Sequence, residues 1–138
     1  MSTLEYFTYD GFAEQLRDGF WYNQAVKIGD RIECSGQGGW DPATGKLPTD
    51  INAEIDQAFS NVDLALRTAG GQGWSQVYKI HIYMLDIKDE EAVKALVRNM
   101  KKWLPNHKPI LTVVGVKDLA LEGMRIEVEV AAVITPSA

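Results

Sequence analysis

Two adjoining stretches, DINAEIDQAFSNVDLALRTA at 50–69 and VYKIHIYML at 77–85, decide the fold, because the hydrophobic period changes between them. In the first, Ile51, Ile55, Ala58, Phe59, Val62, Leu66 and Ala69 recur at three- and four-residue spacing, the apolar stripe of an α-helix. Thr49 or Asp50 can cap its start, and Gly70-Gly71 stops it. In the second, β-branched and aromatic side chains dominate, which predicts a strand over 77–85.

Toward the C-terminus the pattern repeats. A helix is predicted over 88–104, with Asp89, Glu90 and Glu91 at its positive end and Lys101 and Lys102 at its negative end. Val93, Leu96, Val97, Met100 and Leu104 form its apolar face, and Pro105 lies beyond it. Two more strands follow, over 111–116 and 125–134, with Gly123 in the connection.

Toward the N-terminus, the runs at 25–28 and 31–35 flank Gly29-Asp30 and read as a β-hairpin. The segment 36–45 is loop, with Asp41-Pro42 and Thr44-Gly45 as turn signals. The first 24 residues carry seven aromatic residues from Tyr6 to Tyr22, too many for a disordered tail, so this segment is expected to pack on the domain. The order strands, helix, strand, helix, strands predicts an α+β fold. A single layer of mixed sheet packs under two helices, in one domain spanning 1–138.

Strand alternation says what each sheet face does. In the strand at 77–85, Tyr78, Ile80, Ile82 and Met84 are predicted to face the helices, and Val77, Lys79, His81, Tyr83 and Leu85 the other side. In the last strand Met124, Ile126, Val128, Val130 and Ala132 oppose Arg125, Glu127, Glu129, Ala131 and Val133. The mixed face is either a solvated outer face or a subunit interface; Tyr83, Leu85 and Val133 argue for the second.

Composition narrows the function. The 138 residues are 46% hydrophobic and 24% charged, a globular balance. No apolar run reaches the roughly 20 residues of a membrane span, and no secretory leader opens the chain, so a cytoplasmic protein is expected. A net charge of -5 argues against nucleic acid as a partner. One cysteine, Cys34, leaves no internal disulfide and no cysteine-based zinc site.

Few residues suggest chemistry on their own. His81 and His107 lack metal-ligand spacing, and Gly36-Gln37-Gly38-Gly39 leads into Trp40-Asp41-Pro42 rather than a helix, a poor phosphate cradle. Cys34 beside Ser35 is either a nucleophile or a buried structural thiol, the second being the simpler reading. Glu127 and Glu129 face the same way. Such a pair either binds cations across an interface or includes one carboxyl with a raised pKa, fit for acid/base work.

Together, several motifs resemble one family. Cys34-Ser35-Gly36-Gln37, Asp41-Pro42-Ala43-Thr44-Gly45-Lys46-Leu47 and Ala58-Phe59-x-Asn61-Val62 are similar to the Rid (YjgF-like) reactive-intermediate deaminases. The match continues through Val77-x-Lys79-Ile80-x-Ile82-Tyr83-x-Leu85-Asp86 to Ile126-Glu127-Val128-Glu129-Val130-Ala131-Ala132, covering about 21–133. The resemblance implies a chorismate-mutase-like fold, a homotrimer with sheets toward the threefold axis, and ligand clefts between protomers. It also implies cofactor-independent hydrolysis of enamines and imines to a 2-oxo acid and ammonia; ribonuclease and purely ligand-binding roles are other family assignments. Position by position, it makes Tyr22 a cleft-lining tyrosine, Ser35 the serine of the Ser-Gly-Gln motif and Glu129 the glutamate that handles the attacking water.

One departure matters for the substrate. The arginine that holds the substrate carboxylate in the family's deaminases is replaced by Leu111, next to Thr112, in Lys108-Pro109-Ile110-Leu111-Thr112-Val113. An asparagine of the second predicted helix is replaced by Lys94. Arg125 and Lys108 are the candidate compensating cations. The expected site is therefore catalytic Glu129 and Ser35 with substrate-binding Tyr22, Leu111 and Thr112, no metal, and a small-molecule ligand without the usual 2-imino-acid carboxylate. The alternatives are a non-catalytic small-molecule or protein-binding trimer and, third, an endoribonuclease-like translation inhibitor.

Overall fold

The structure, a computed structural model, describes residues 4–134, so the ends of the predicted 1–138 domain lie outside the described residues. Its strands are β1 (Leu4–Phe7), β2 (Ala25–Ile28), β3 (Arg31–Cys34), β4 (Val77–Met84), β5 (Ile110–Gly115) and β6 (Ile126–Val133). Its helices are α1 (Phe12–Phe20), α2 (Ile51–Thr68) and α3 (Glu90–Trp103), with a short 3-10 turn at Gly73–Gln76. The six strands form one sheet in the order β1-β2-β3-β6-β4-β5. All neighbours are antiparallel except β4 and β5, which run parallel because α3 carries the chain back between them. The fold is the expected α+β mixed sheet packed under helices.

Both expected helices form, and their ends have local causes. The Asp50 carboxylate accepts the Asn52 N–H at the start of α2, and Asp89 accepts the N–H groups of Glu91 and Ala92 at the start of α3. Gly70, at φ 93°, supplies the left-handed residue that ends α2. The core is the helix-facing side of the sheet. Ile80, Ile82, Met84, Ile126, Val128 and Val130 lie beneath Ile55, Phe59, Val62 and Leu66 of α2 and Ala92, Ala95 and Leu96 of α3. Each large apolar side chain buried there contributes about 1.5–3 kcal/mol. Phe59 and Trp74 stack at 4.8 Å, and Trp74 Nε1 donates to the Phe59 carbonyl.

Three expectations need correction. In α3, Val93 and Val97 of the predicted apolar face are exposed, and Ala92, Ala95 and Asn99 are buried beside Leu96 instead, because the helix sits rotated toward α2 and the sheet. Val77 is buried and Tyr78 exposed, the reverse of the simple alternation. A register shift between Val77 and Lys79 against β6 explains it: the irregularity inverts the facing of the residues before it. The N-terminal segment does pack on the molecule, but as an edge strand and a third helix that were not foreseen. In α1, Phe12, Leu16 and Phe20 recur every four residues, a stripe hidden by the flanking glycines. The helix reaches the main core through Ala13, while Leu16 on its loop-facing side joins Trp40 and Met124 in a separate small cluster. Gly11 allows this docking: a Cβ there would stand 2.4 Å from the Pro42 carbonyl oxygen, which instead accepts the Phe12 N–H.

Candidate functional site

The segment after β3 is shaped by one extra residue. Glu33 pairs with Ala131 and Gln37 with Val128, so the span 33–37 opposes the shorter span 128–131, and Ser35-Gly36 bulge out of the ladder. A buried network fixes this bulge. Trp40 Nε1 donates to the Tyr9 hydroxyl (2.9 Å), which donates to Gln37 Oε1 (2.7 Å); Gln37 Nε2 donates to Gln24 Oε1 (2.7 Å) and the Ser35 carbonyl (3.0 Å). Ser35 Oγ donates to the Asn23 carbonyl at 2.6 Å, so its lone pairs remain available to accept. Asn61 ties the same loop to α2 through the Gly38 and Trp40 carbonyls.

Just before Tyr22 the chain turns sharply. Trp21 is left-handed at φ 66°, the only non-glycine residue of positive φ among the described residues, and its N–H caps α1 on the Arg17 carbonyl. This turn sends the Trp21 ring outward and Tyr22 inward, against Ser35. Tyr22 and Ser35 share a cavity of about 190 Å³, walled by Leu16, Phe20, Trp40 and Leu121. Its carboxylate is Glu127. Gly36 makes room for that carboxylate: a Cβ on residue 36 would fall 1.8 Å from Glu127 Oε1. Burial, then the neighbouring Glu129, raises the Glu127 carboxyl above its ordinary range. Burial also raises the Tyr22 hydroxyl.

Glu129 lies on the same open face but beside a second cavity, with Glu33, Lys79 and His81. Its Oε1 accepts the Tyr83 hydroxyl at 2.9 Å and lies 3.4 Å from His81 Nδ1, while Oε2 has no hydrogen bond among the described residues. The bond to Glu129 raises the Tyr83 hydroxyl, which the carboxylate holds in its protonated form. Strand register sets Glu129, His81 and Thr112 side by side across β6, β4 and β5. Leu111 is the register partner of buried Ile80, so it belongs to the helix side, in a third cavity of about 650 Å³ with Met100, Leu104, His107 and Lys108. Within one chain the expected residues therefore fall into three groups: Tyr22 with Ser35, Glu129 near Thr112, and Leu111 apart.

Arg125 is not a free cation. Its Nε donates to Glu54 Oε1 at 2.7 Å, its backbone N–H to Glu54 Oε2 at 2.7 Å, and its Nη2 to the Thr49 carbonyl. Lys108, by contrast, does share a cavity with Leu111. The Cys34 thiol is buried and pushed up to about 12, chiefly by burial, as a structural thiol should be. Glu127, left undecided beside Glu129 by the sequence, is the carboxylate that meets Tyr22 and Ser35. Its signal was the glycine at 36, whose bare Cα lets the carboxylate in. Among the described residues no cluster of three metal-ligating groups occurs, and no helix is long and apolar enough to cross a membrane.

A helix-backed mixed sheet whose open face carries two carboxylates, a tyrosine and a serine beside small cavities defines a small-molecule-binding class of α+β protein. The family model for endoribonuclease L-PSP matches residues 16–134, and the chain belongs to that family, the YjgF/RidA group that its motifs resemble. A RutC family protein of Aquifex aeolicus is 36% identical over 112 residues, 81% of this chain and 87% of that protein. A 2-iminobutanoate/2-iminopropanoate deaminase of Dermatophagoides farinae is 32% identical over 114 residues, 82% of this chain and 85% of that protein. The crystal structure of RidA from an Antarctic Psychrobacter superimposes with a TM-score of 0.74 at 31% identity, over 82% of this chain and 88% of that one.

Proposed function

We propose that this protein hydrolyses a small imine or enamine in clefts between the protomers of a trimer, without a cofactor, on a substrate lacking the usual 2-imino-acid carboxylate. One observation carries the reading most: Glu129 has one oxygen fixed by Tyr83 and the other without a donor among the described residues, on a face open to a ligand. Oε2 can accept a proton from water as the water oxygen adds to the imine carbon. Returning that proton to nitrogen completes a carbinolamine; the carboxylate then takes the carbinolamine hydroxyl proton and passes it to nitrogen as the C–N bond breaks, leaving a carbonyl compound and ammonia. Ser35, its own proton engaged with Asn23, can accept an N–H of the substrate, and Tyr22 and Thr112 complete the polar lining. The three-way separation of these residues within one chain supports a cleft that unites them between copies, as does the half-exposed apolar edge formed by Ile110, Leu111, Val113 and Val114.

The substrate restriction rests on Leu111. An alkyl side chain offers no bidentate partner for a carboxylate, a loss expected to lower turnover of 2-iminopropanoate by about 10²-fold or more relative to arginine-bearing relatives. The test combines light scattering with ammonia release from two imine sets, one from an amino-acid oxidase and one from an amine oxidase. A trimer of about 46 kDa that releases ammonia from the carboxylate-free set supports the reading. A monomer at micromolar concentration, or no acceleration in either set, removes it. Full activity on 2-iminopropanoate would mean that Leu111 does not occupy the arginine position or that another cation, such as Lys108, holds the carboxylate. A purely ligand-binding trimer is the second reading, favoured by the same Leu111.

A further inference from the structure

We propose that a cavity between the C-terminal ends of α2 and α3 binds a small organic carboxylate. The Arg67 guanidinium and the Trp103 indole N–H hold its oxygens, and its apolar body lies against Trp103 and Pro105. The cavity has a volume of about 470 Å³, enough for a small organic molecule, and Lys102 and Asn106 add polar groups to its lining. It shares no residue with the cavity of Tyr22 and Ser35 or with the one beside Glu129, so the imine reading stands or falls without it. The turn Pro105-Asn106-His107 separates it from the cavity that contains Leu111.

Three observations carry it. First, Trp103 Nε1 is buried without a hydrogen-bond partner among the described residues, whereas Trp40 and Trp74 donate theirs to Tyr9 and the Phe59 carbonyl. Buried N–H groups find an acceptor in folded proteins, and here the acceptor has to come from outside the chain. Second, Arg67 is aimed but not used up. Its Nε donates to Asp63 Oδ2 at 2.8 Å, and Asp63 Oδ1 accepts the Trp74 N–H, so both oxygens of this acid are taken while the two Nη groups of Arg67 have no bond among the described residues. Gly73, at φ 73°, makes room for the pair: a Cβ there would stand 2.0 Å from Asp63 Oδ1 and 3.1 Å from Arg67 Nη2. Third, the charge is one-sided. Arg67 and Lys102 line this cavity and Lys101 and Lys108 the one across the turn, and Asp63 is the only acid lining either. Lys102, with Nζ 5.2 Å from the Trp103 ring centroid, has no ion pair; nearby Asp56 is already bonded to Arg98 and Asn99. The end of α3 adds only about half a negative charge, which these cations outweigh. A carboxylate fits best, because its planar pair of oxygens matches a guanidinium fork.

Three probes of similar shape test this: phenylacetate, 2-phenylethanol and 2-phenylethylamine, titrated against the full chain by NMR. Phenylacetate should bind about tenfold or more tightly than either of the others and should move the Trp103 indole N–H resonance. Arg67→Met, an exposed change that keeps the aliphatic stem, should weaken phenylacetate by about tenfold, and Lys102→Met should weaken it by a smaller factor. Phenylacetate binding no more tightly than 2-phenylethanol, or binding with the Trp103 resonance unmoved, overturns the proposal. So does unchanged phenylacetate affinity in the folded Arg67→Met variant. Should that variant fail to fold, unchanged affinity in Lys102→Met overturns it instead. Inorganic phosphate that binds more tightly than phenylacetate and moves the same resonance overturns the choice of a carboxylate.

Discussion

Glu54 and Glu127 sit on opposite sides of the sheet and show how differently one residue type is used on the two. Glu54 is fully buried on the helix side, and both its oxygens are taken, by the backbone N–H and the guanidinium of Arg125. Glu127 is half-buried on the open side and has neither. The first carboxylate is part of the scaffold: it joins α2 to the start of β6 and closes the 48–50 loop. The second has no hydrogen bond or ion pair among the described residues.

The largest effect should come from breaking the satisfied pair. Arg125→Ala leaves Glu54 charged and buried without its guanidinium, at a cost of about 3–5 kcal/mol, read as a lowered denaturation midpoint. Ile82→Ala, in the same covered face, should cost about 2–5 kcal/mol through the cavity it leaves. If either change costs no more than a surface substitution, the helix side is not the scaffold described.

Glu127 should behave in the opposite sense. Its carboxyl is raised in the folded state, so the folded form binds more protons than the unfolded form between the ordinary carboxyl value and the raised one. The associated stability is present in full below the ordinary value and is lost as pH rises through the raised one. Denaturation midpoints of wild type and Glu127→Gln across pH 4 to 8 should therefore diverge, with only the wild type losing this contribution. Parallel curves would mean that Glu127 is no less solvated than a surface carboxylate. At the small end, Asp89→Ala should cost about 1 kcal/mol through loss of the cap on α3, and Trp21→Gly should gain about 1 kcal/mol by relieving the left-handed backbone.

The same contrast explains what the sequence made legible. The covered face announces itself through period: Ile55, Phe59, Val62 and Leu66 on α2, and Ile80, Ile82 and Met84 on β4, alternate as buried elements must. The α1 helix escaped because its stripe of Phe12, Leu16 and Phe20 is short, follows Gly11, is interrupted by Gly19, and packs largely against loops, whose positions no periodicity gives. Val77 and Tyr78 were misfaced because one irregular pairing inverts a strand without altering its composition. At the site, motif positions indicated Tyr22, Ser35 and Glu129, but their separation into different cavities depends on a bulge and on strand order. Glu127 and Glu129 look alike in sequence. The structure separates them, with Glu127 in the space beside Gly36 and Glu129 bonded to Tyr83.

The single thiol, Cys34, gives the molecule an internal clock for opening. It lies at the end of β3, paired with Ala25 and with its proton held to about 12, so neither access nor ionisation favours attack in the closed protein. Thiol reagents should therefore modify the chain only as fast as β2 and β3 separate, at a rate set by the free energy of that local opening. Because no second cysteine competes, the labelling rate of the whole protein reports the breathing of one hairpin, the one whose open end leads directly into Ser35. A ligand that clasps the open face should slow this clock, even one whose chemical turnover is too slow to see.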